Sequence, residues 1–179
     1  MSKILVLYGT TEGHTASIAT SIGSTLTTLG FDVDVVRAGS VDPRPSAFDG
    51  IIVAASLHAG RYQKAVGQWI REHRAELGAK PTAFVSVSLA VASKRPKAIA
   101  DVNAIITRFV QEIGWTPTIT KAVAGALLYT KYNLFIRWLM KRIAAAEGGD
   151  TDTSRDYDYT DWNDLREFAG EFGRRVAAA

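Results

Sequence analysis

Continuous apolar runs alternate with amphipathic stretches along this chain. Residues 3–8 hold the run Ile4-Leu5-Val6-Leu7 and read as a buried strand. Residues 15–29 carry helical periodicity, stopped by Gly30, and residues 32–37 alternate like a strand. Residues 50–55 (Gly-Ile-Ile-Val-Ala-Ala) and 81–89 give two more buried strands, with a helix over 62–77 between them. A helix over 97–115, a strand within 118–128 and a last helix over 160–176, capped by Thr160 or Asp161, complete the series. Strands that are apolar throughout need helices on both faces, so the pattern predicts a parallel α/β sheet in a single domain over residues 1–179. Five strands fit the doubly wound order 2-1-3-4-5, with a ligand beyond the carboxyl ends of strands 1, 3 and 4. The loops there are 10–15, 56–62 and 88–96. Residues 129–158 break the rhythm as a long insertion near strand 5, far beyond an ordinary connection.

The first strand ends in Tyr8-Gly9-Thr10-Thr11-Glu12-Gly13-His14-Thr15. A turn of this kind opening a helix presents unpaired N–H groups to one spot, where the helix dipole favours an anion. Thr10, Thr11 and Thr15 add hydroxyl donors, and Gly9 and Gly13 keep Cβ atoms out of the way. His14 stands where a Walker loop carries lysine, and only two glycines are present where a dinucleotide fingerprint has three. A monophosphate held by neutral donors fits the turn. Glu12 is expected to point outward and to contribute only its backbone N–H.

Composition narrows the chemistry. The chain has no cysteine, which excludes disulfides, thiolate metal sites and thiol redox chemistry. Its three histidines are scattered, so no metal site is expected. A net charge of +3 is too small to indicate a nucleic-acid partner. Met1-Ser2-Lys3 leads straight into a strand, so no signal peptide is expected, and no apolar run is long enough to span a bilayer. The expected location is the cytoplasm.

The turn from Tyr8 to Thr15 resembles the FMN-phosphate loop of flavodoxins. Ala55-Ser56-Leu57-His58-Ala59-Gly60-Arg61-Tyr62, Ala83-Phe84-Val85-Ser86-Val87-Ser88-Leu89, Ala124-Gly125-Ala126-Leu127-Leu128-Tyr129, Gly148-Gly149-Asp150-Thr151-Asp152-Thr153 and Tyr159-Thr160-Asp161-Trp162 are similar to segments of the flavodoxin-like menaquinone-dependent protoporphyrinogen oxidases, the HemG type. The resemblance runs from the first strand to the last helix. It implies a flavodoxin-like fold, FMN as cofactor, protoporphyrinogen IX as substrate and menaquinone or another quinone as acceptor. The implied reaction is oxidation to protoporphyrin IX in haem biosynthesis, in two-electron steps that each reduce the flavin. No catalytic base is assigned.

On that footing Thr10, Thr11, Glu12, Gly13, His14 and Thr15 form the phosphate end of the cofactor site. Ser56, Leu57, His58, Ala59, Gly60 and Tyr62 lie beside the ring, and Ser88, Leu89 and Ala90 flank its other side. Gly60 leaves the backbone free to move its carbonyl near flavin N5. His58 or Tyr62 can stack on the ring; alternatively Tyr62 packs at its helix start and His58 is exposed. Lys94 and Arg95 are candidates for the substrate propionates, or form part of a solvated charge run.

Residues 131–146 of the insertion have helical periodicity. Tyr132, Phe135, Ile136, Leu139, Met140 and Ile143 are expected on one face and Lys131, Arg137, Lys141 and Arg142 on the other, with Leu134 and Trp138 among the cations. This face can meet an anionic membrane, which would associate the protein with the inner face of the cell membrane near a quinone pool; it can meet substrate; or the helix packs only on its own domain. The acids at 150, 152, 156 and 158 are expected to serve turns rather than calcium. A flavodoxin-type electron carrier and an FMN-dependent quinone reductase remain the alternative functions; carriers are acidic, whereas this chain is basic.

Overall fold

The apolar runs become five strands of one parallel sheet in the order β2-β1-β3-β4-β5. The computed structural model describes residues 1–93, 95–146 and 148–179. The strands are β1 (Lys3–Gly9), β2 (Asp32–Arg37), β3 (Gly50–Ser56), β4 (Thr82–Ser88) and β5 (Ile119–Ala124). They are crossed by α1 (His14–Thr28), α2 (Lys64–Leu77) and α3 (Ala98–Ile113), and α5 (Trp162–Ala177) closes the chain. Side chains alternate across a strand, so each buried strand supplies two cores. Ile4, Val6, Ile52 and Val85 face α1 and α5. Leu5, Leu7, Ile51, Val53 and Phe84 face α2 and α3. Every residue of β3 and β4 is buried, as expected of central strands in a parallel sheet. Burial of each large side chain contributes about 1.5–3 kcal/mol. Asp161 caps α5, its carboxylate accepting from the N–H groups of Asn163 and Asp164.

The insertion has structure of its own. After β5 the chain forms β6 (Ala126–Leu127), which pairs antiparallel with β7 (Tyr157–Asp158), and between them runs α4 (Leu134–Ala146). Leu127, Tyr129, Tyr132 and Ala144 form a third small core with Leu89, Ile136 and Met140 against them. The acids tie this segment down: Thr130 donates its N–H and hydroxyl to Asp156, and Tyr159 donates to Asp150 Oδ2 at 2.7 Å. Among the described residues no His, Asp or Glu cluster could hold a metal ion.

One face of α4 was misassigned by periodicity. Phe135 and Leu139 point outward with Leu134 and Trp138, not inward with Tyr132, Ile136 and Met140. The helix is too apolar for its small core to cover, so its hydrophobic residues divide between two faces. Leu134, Phe135 and Trp138 are 82%, 68% and 56% exposed.

Candidate active site

The site is built where β1, β3 and β4 end. Gly13 precedes α1 with φ of 98°, a conformation that favours glycine, and its N–H donates to Thr10 Oγ1 at 2.8 Å. This fixes the turn, so the first N–H groups of α1 face a common point. Thr15, in the first turn, is 1% exposed, and among the described residues its Oγ1 has no hydrogen-bond partner. A buried hydroxyl left unpaired is destabilising, and this one lines the cleft. It is suited to an oxygen-rich ligand.

The cleft encloses about 230 Å³. Thr10, Glu12, His14 and Thr15 line its end at the start of α1. Ser56, Leu57, His58 and Ala59 line one side, and Ser88 and Leu89 another. The His58–Arg61 turn is closed by two hydrogen bonds, His58 N–H to Arg61 O at 2.9 Å and Arg61 N–H to His58 O at 3.0 Å. Ala59 and Gly60 both have positive φ, 47° and 76°. Two such residues make a tight turn of the hairpin type, and a non-glycine in this region holds local strain beside the cleft.

His14 closes another corner. Thr160 donates its single proton to Ala124 O at 2.9 Å, so at 2.8 Å His14 Nε2 must donate to Thr160 Oγ1. Burial lowers the His14 pKa; Asp158, 3.5 Å away, opposes this and the charge of Lys131 adds to it. The ring is neutral at physiological pH, with Nδ1 unprotonated.

The insertion supplies the remaining wall through Tyr132, Met140 and Ile143. Tyr132 donates to Glu12 Oε2 at 2.8 Å. Burial, then the adjacent Glu12 carboxylate, raise the Tyr132 hydroxyl well above its ordinary pKa, so it remains a donor. Lys131 comes to the same place: a Cβ at Gly13 would lie 4.0 Å from its Nζ. The cation missing from the turn is therefore brought from the insertion.

Several expectations need correction. Glu12 does not point out to solvent; it is half-buried on the cleft wall, its carboxylate turned aside to Tyr132. Thr11 is exposed and accepts from Gln63 Nε2 at 3.1 Å, while Gln63 also donates to Ser56 Oγ at 2.6 Å. Gly9 makes room for α2 rather than for a ligand, because a Cβ there would lie 2.5 Å from Val66. Gly13 and Gly60 shape turns without lining the cleft. Tyr62 turns into the core, its ring against Phe84 and Phe109 and its hydroxyl 2.8 Å from Ser86 Oγ. Burial there pushes its pKa up to about 12. Ala90 and Arg95 line a neighbouring cavity instead. Lys94 lies outside the described residues. Arg137 is not on a solvated basic face: its guanidinium donates to the carbonyls of Tyr129 and Tyr132 at 2.9 and 3.2 Å. Trp138, Lys141 and Arg142 are exposed, with the Arg142 guanidinium 5.7 Å from the Trp138 ring.

Sequence reasoning missed Val87, Gly125 and Ala126 as lining residues and the roles of Lys131, Tyr132, Met140 and Ile143. Gly125 and Ala126 sat in a quoted motif directly after a strand, a signal that could have placed them at the cleft. Nothing in the spacing could have brought Lys131 to Gly13.

The flavodoxin domain family model matches residues 5–154. The protoporphyrinogen IX dehydrogenase (quinone) of Escherichia coli strain K12 is 34% identical over 170 residues, covering 94% of this chain and 93% of the relative. The Leishmania major protein of the same name is 35% identical over 176 residues, covering 95% of this chain and 74% of the relative. A flavodoxin from the domain Archaea superposes with a TM-score of 0.57 at 16% identity, covering 98% of this chain and 99% of that one. Oxidised flavodoxin 1 from Bacillus cereus also gives 0.57 at 16% identity, covering 97% of this chain and 98% of that one.

Proposed function

The chain belongs to the flavodoxin domain family, on the branch shared with the quinone-type protoporphyrinogen IX dehydrogenases, and we propose that it oxidises protoporphyrinogen IX and passes the electrons to a quinone. The observation that carries this reading is the likeness to those enzymes over 94% of the chain, insertion included. It favours the enzyme over an electron carrier or a nicotinamide-driven quinone reductase. FMN, when bound, supplies reversible two-electron chemistry.

The residues present fit that cofactor. Thr10 and the buried, unpartnered Thr15 hydroxyl would hold the phosphate with the first N–H groups of α1. Lys131 would supply the counter-charge, and Tyr132 holds the Glu12 carboxylate aside. Ser56, Leu57, His58 and Ala59 would meet one side of the ring and Ser88 and Leu89 the other. Neutral His14 would add no charge there. Met140 and Ile143 would give the cleft an apolar wall on the side of the insertion.

Menaquinone as the physiological acceptor and contact with the inner face of the cell membrane belong to the same proposal. Among the described residues no helix is long and apolar enough to cross a membrane. Leu134, Phe135, Trp138 and Leu139 are exposed on α4 beside Lys141 and Arg142, which suits a helix lying on an anionic lipid surface. Mixing the FMN-loaded protein anaerobically with protoporphyrinogen IX should bleach the flavin, and menadione should restore its absorbance as porphyrin fluorescence appears. Bleaching by NAD(P)H and not by protoporphyrinogen would overturn the assignment.

A further inference from the structure

A second cavity, of about 470 Å³, lies behind the cleft. Leu89, Met140 and Ile143 line both spaces, so among the described residues these side chains stand between them. We propose that this second cavity, between α4 and the turn Leu89–Ala92, is the binding site for the ring of a lipid-soluble quinone. The inference rests on the function proposed above for the acceptor and gives that acceptor a place.

Its chemistry selects the ligand. Apart from the shared residues, Ala90, Ala92, Leu127 and Ala144 make most of the wall apolar. The lining carries one cation, Arg95, and one acid, Asp150, among the described residues. A dianionic tetrapyrrole would bring two propionates to a wall whose described residues hold one cation and one acid. A neutral quinone needs only an apolar slot and a polar group near a carbonyl, and Ser93 and Arg95 stand in the lining. A quinone also carries an apolar tail. Ile143 is 46% exposed at the mouth, and Leu139 and Phe135 continue outward from it at helical i, i+4 spacing. That stripe leads from the cavity to the surface proposed to lie on lipid. In the site the quinone takes two electrons and two protons and becomes the quinol. The two electrons would come from the substrate oxidised at the neighbouring cleft, where FMN, when bound, would supply the two-electron chemistry, and the two protons from water.

Two variants test this in the FMN-loaded protein. Ala92→Trp fills the cavity from its exposed rim, and Ala144→Phe fills it from inside. Anaerobic stopped-flow follows the half-reactions separately: flavin reduction by protoporphyrinogen IX and flavin reoxidation by menadione. The menadione concentration for half-maximal reoxidation should rise by about tenfold or more, the loss of a well-packed ring contact. Reduction by protoporphyrinogen and the FMN dissociation constant should stay as in the parent. An azido-naphthoquinone photolabel should map to residues of this cavity in the parent and be lost in Ala92→Trp. Unchanged reoxidation in folded Ala92→Trp overturns the site, and so does selective loss of the protoporphyrinogen half-reaction, which would put the tetrapyrrole there. If protoporphyrinogen never reduces the parent flavin, the functional reading fails instead; chemically reduced flavin then still reports on the quinone site.

Discussion

Thr15→Val separates the phosphate role of this residue from any packing role. The side chain is 1% exposed and its hydroxyl has no partner among the described residues. Valine keeps the shape and removes the oxygen. An unpaired buried polar group costs about 1–3 kcal/mol, so the flavin-free variant should be more stable by roughly 1 kcal/mol. For a chain of this size that raises Tm by about 2–4 °C. Loaded with FMN the sign reverses. A hydrogen bond to a charged group contributes about 1.5–3 kcal/mol, so FMN should bind roughly tenfold to a hundredfold more weakly. Riboflavin lacks the phosphate and should bind as it does to the parent. Thermal unfolding of the flavin-free protein and fluorescence titration with each flavin give all three values. Equal weakening of FMN and riboflavin, or a flavin-free variant less stable than the parent with FMN affinity intact, would refute the assignment.

Lys131→Gln should weaken FMN roughly two- to fivefold at low ionic strength, with no effect on riboflavin, and the difference should vanish by about 0.5 M salt; a salt-independent change in both flavins would remove Lys131 from the phosphate site. Folding lowers the His14 pKa, while the unfolded chain titrates at the ordinary 6.5. The unfolded state therefore binds more protons below 6.5, and the stability of the flavin-free protein should be full above that value and fall as pH drops toward the lowered native pKa. Denaturant midpoints should show this slope for the parent and lose it in His14→Gln; parallel curves would mean that His14 does not titrate differently on folding. Lys141→Glu with Arg142→Glu should reduce binding to vesicles containing phosphatidylglycerol by about tenfold or more, and unchanged partitioning would dismiss the membrane surface.

Period and composition were enough for the sheet, because strands buried on both faces leave apolar runs that only a covered parallel sheet can use. The order β2-β1-β3-β4-β5 was expected because five strands with a Gly/Thr-rich turn after the first fit the doubly wound pattern, not from alternation alone. The turn that opens α1 was legible because its residues are local: Thr10, Gly13 and Thr15 lie within six residues at one helix end. Tyr62 was not legible. Whether an aromatic ring beside a loop turns to ligand or core depends on Phe84 and Phe109, which come from other elements. Arg137 failed for a similar reason: a cation among cations reads as a solvated face, yet two carbonyls of the preceding turn take its guanidinium. The outward Phe135 and Leu139 show the limit of amphipathicity itself. A helix with apolar residues on two sides has no unique inner face until the size of the core beneath it is known.

The insertion joins duties that the sheet alone could not combine. A parallel sheet offers ligands only the loops at its carboxyl edge, and here those loops are occupied by the cleft. A second ligand close to the first must be walled by something added above that edge. The segment before α4 anchors the addition, since Tyr132 is held on Glu12 and Lys131 lies beside Gly13. From there the helix runs over the cleft. Met140 and Ile143 become a partition with a cavity on each side, while Phe135 and Leu139 are left outside. On the proposal above, a partition made of side chains would let electrons pass between the two spaces while keeping their ligands apart. On the readings proposed above, the insertion would serve both ligands: Lys131, in the segment before α4, beside the cofactor's phosphate, and α4 itself where an apolar acceptor approaches. Shortening the insertion should therefore damage flavin retention and quinone reduction together, whereas Ala92→Trp should damage only the second.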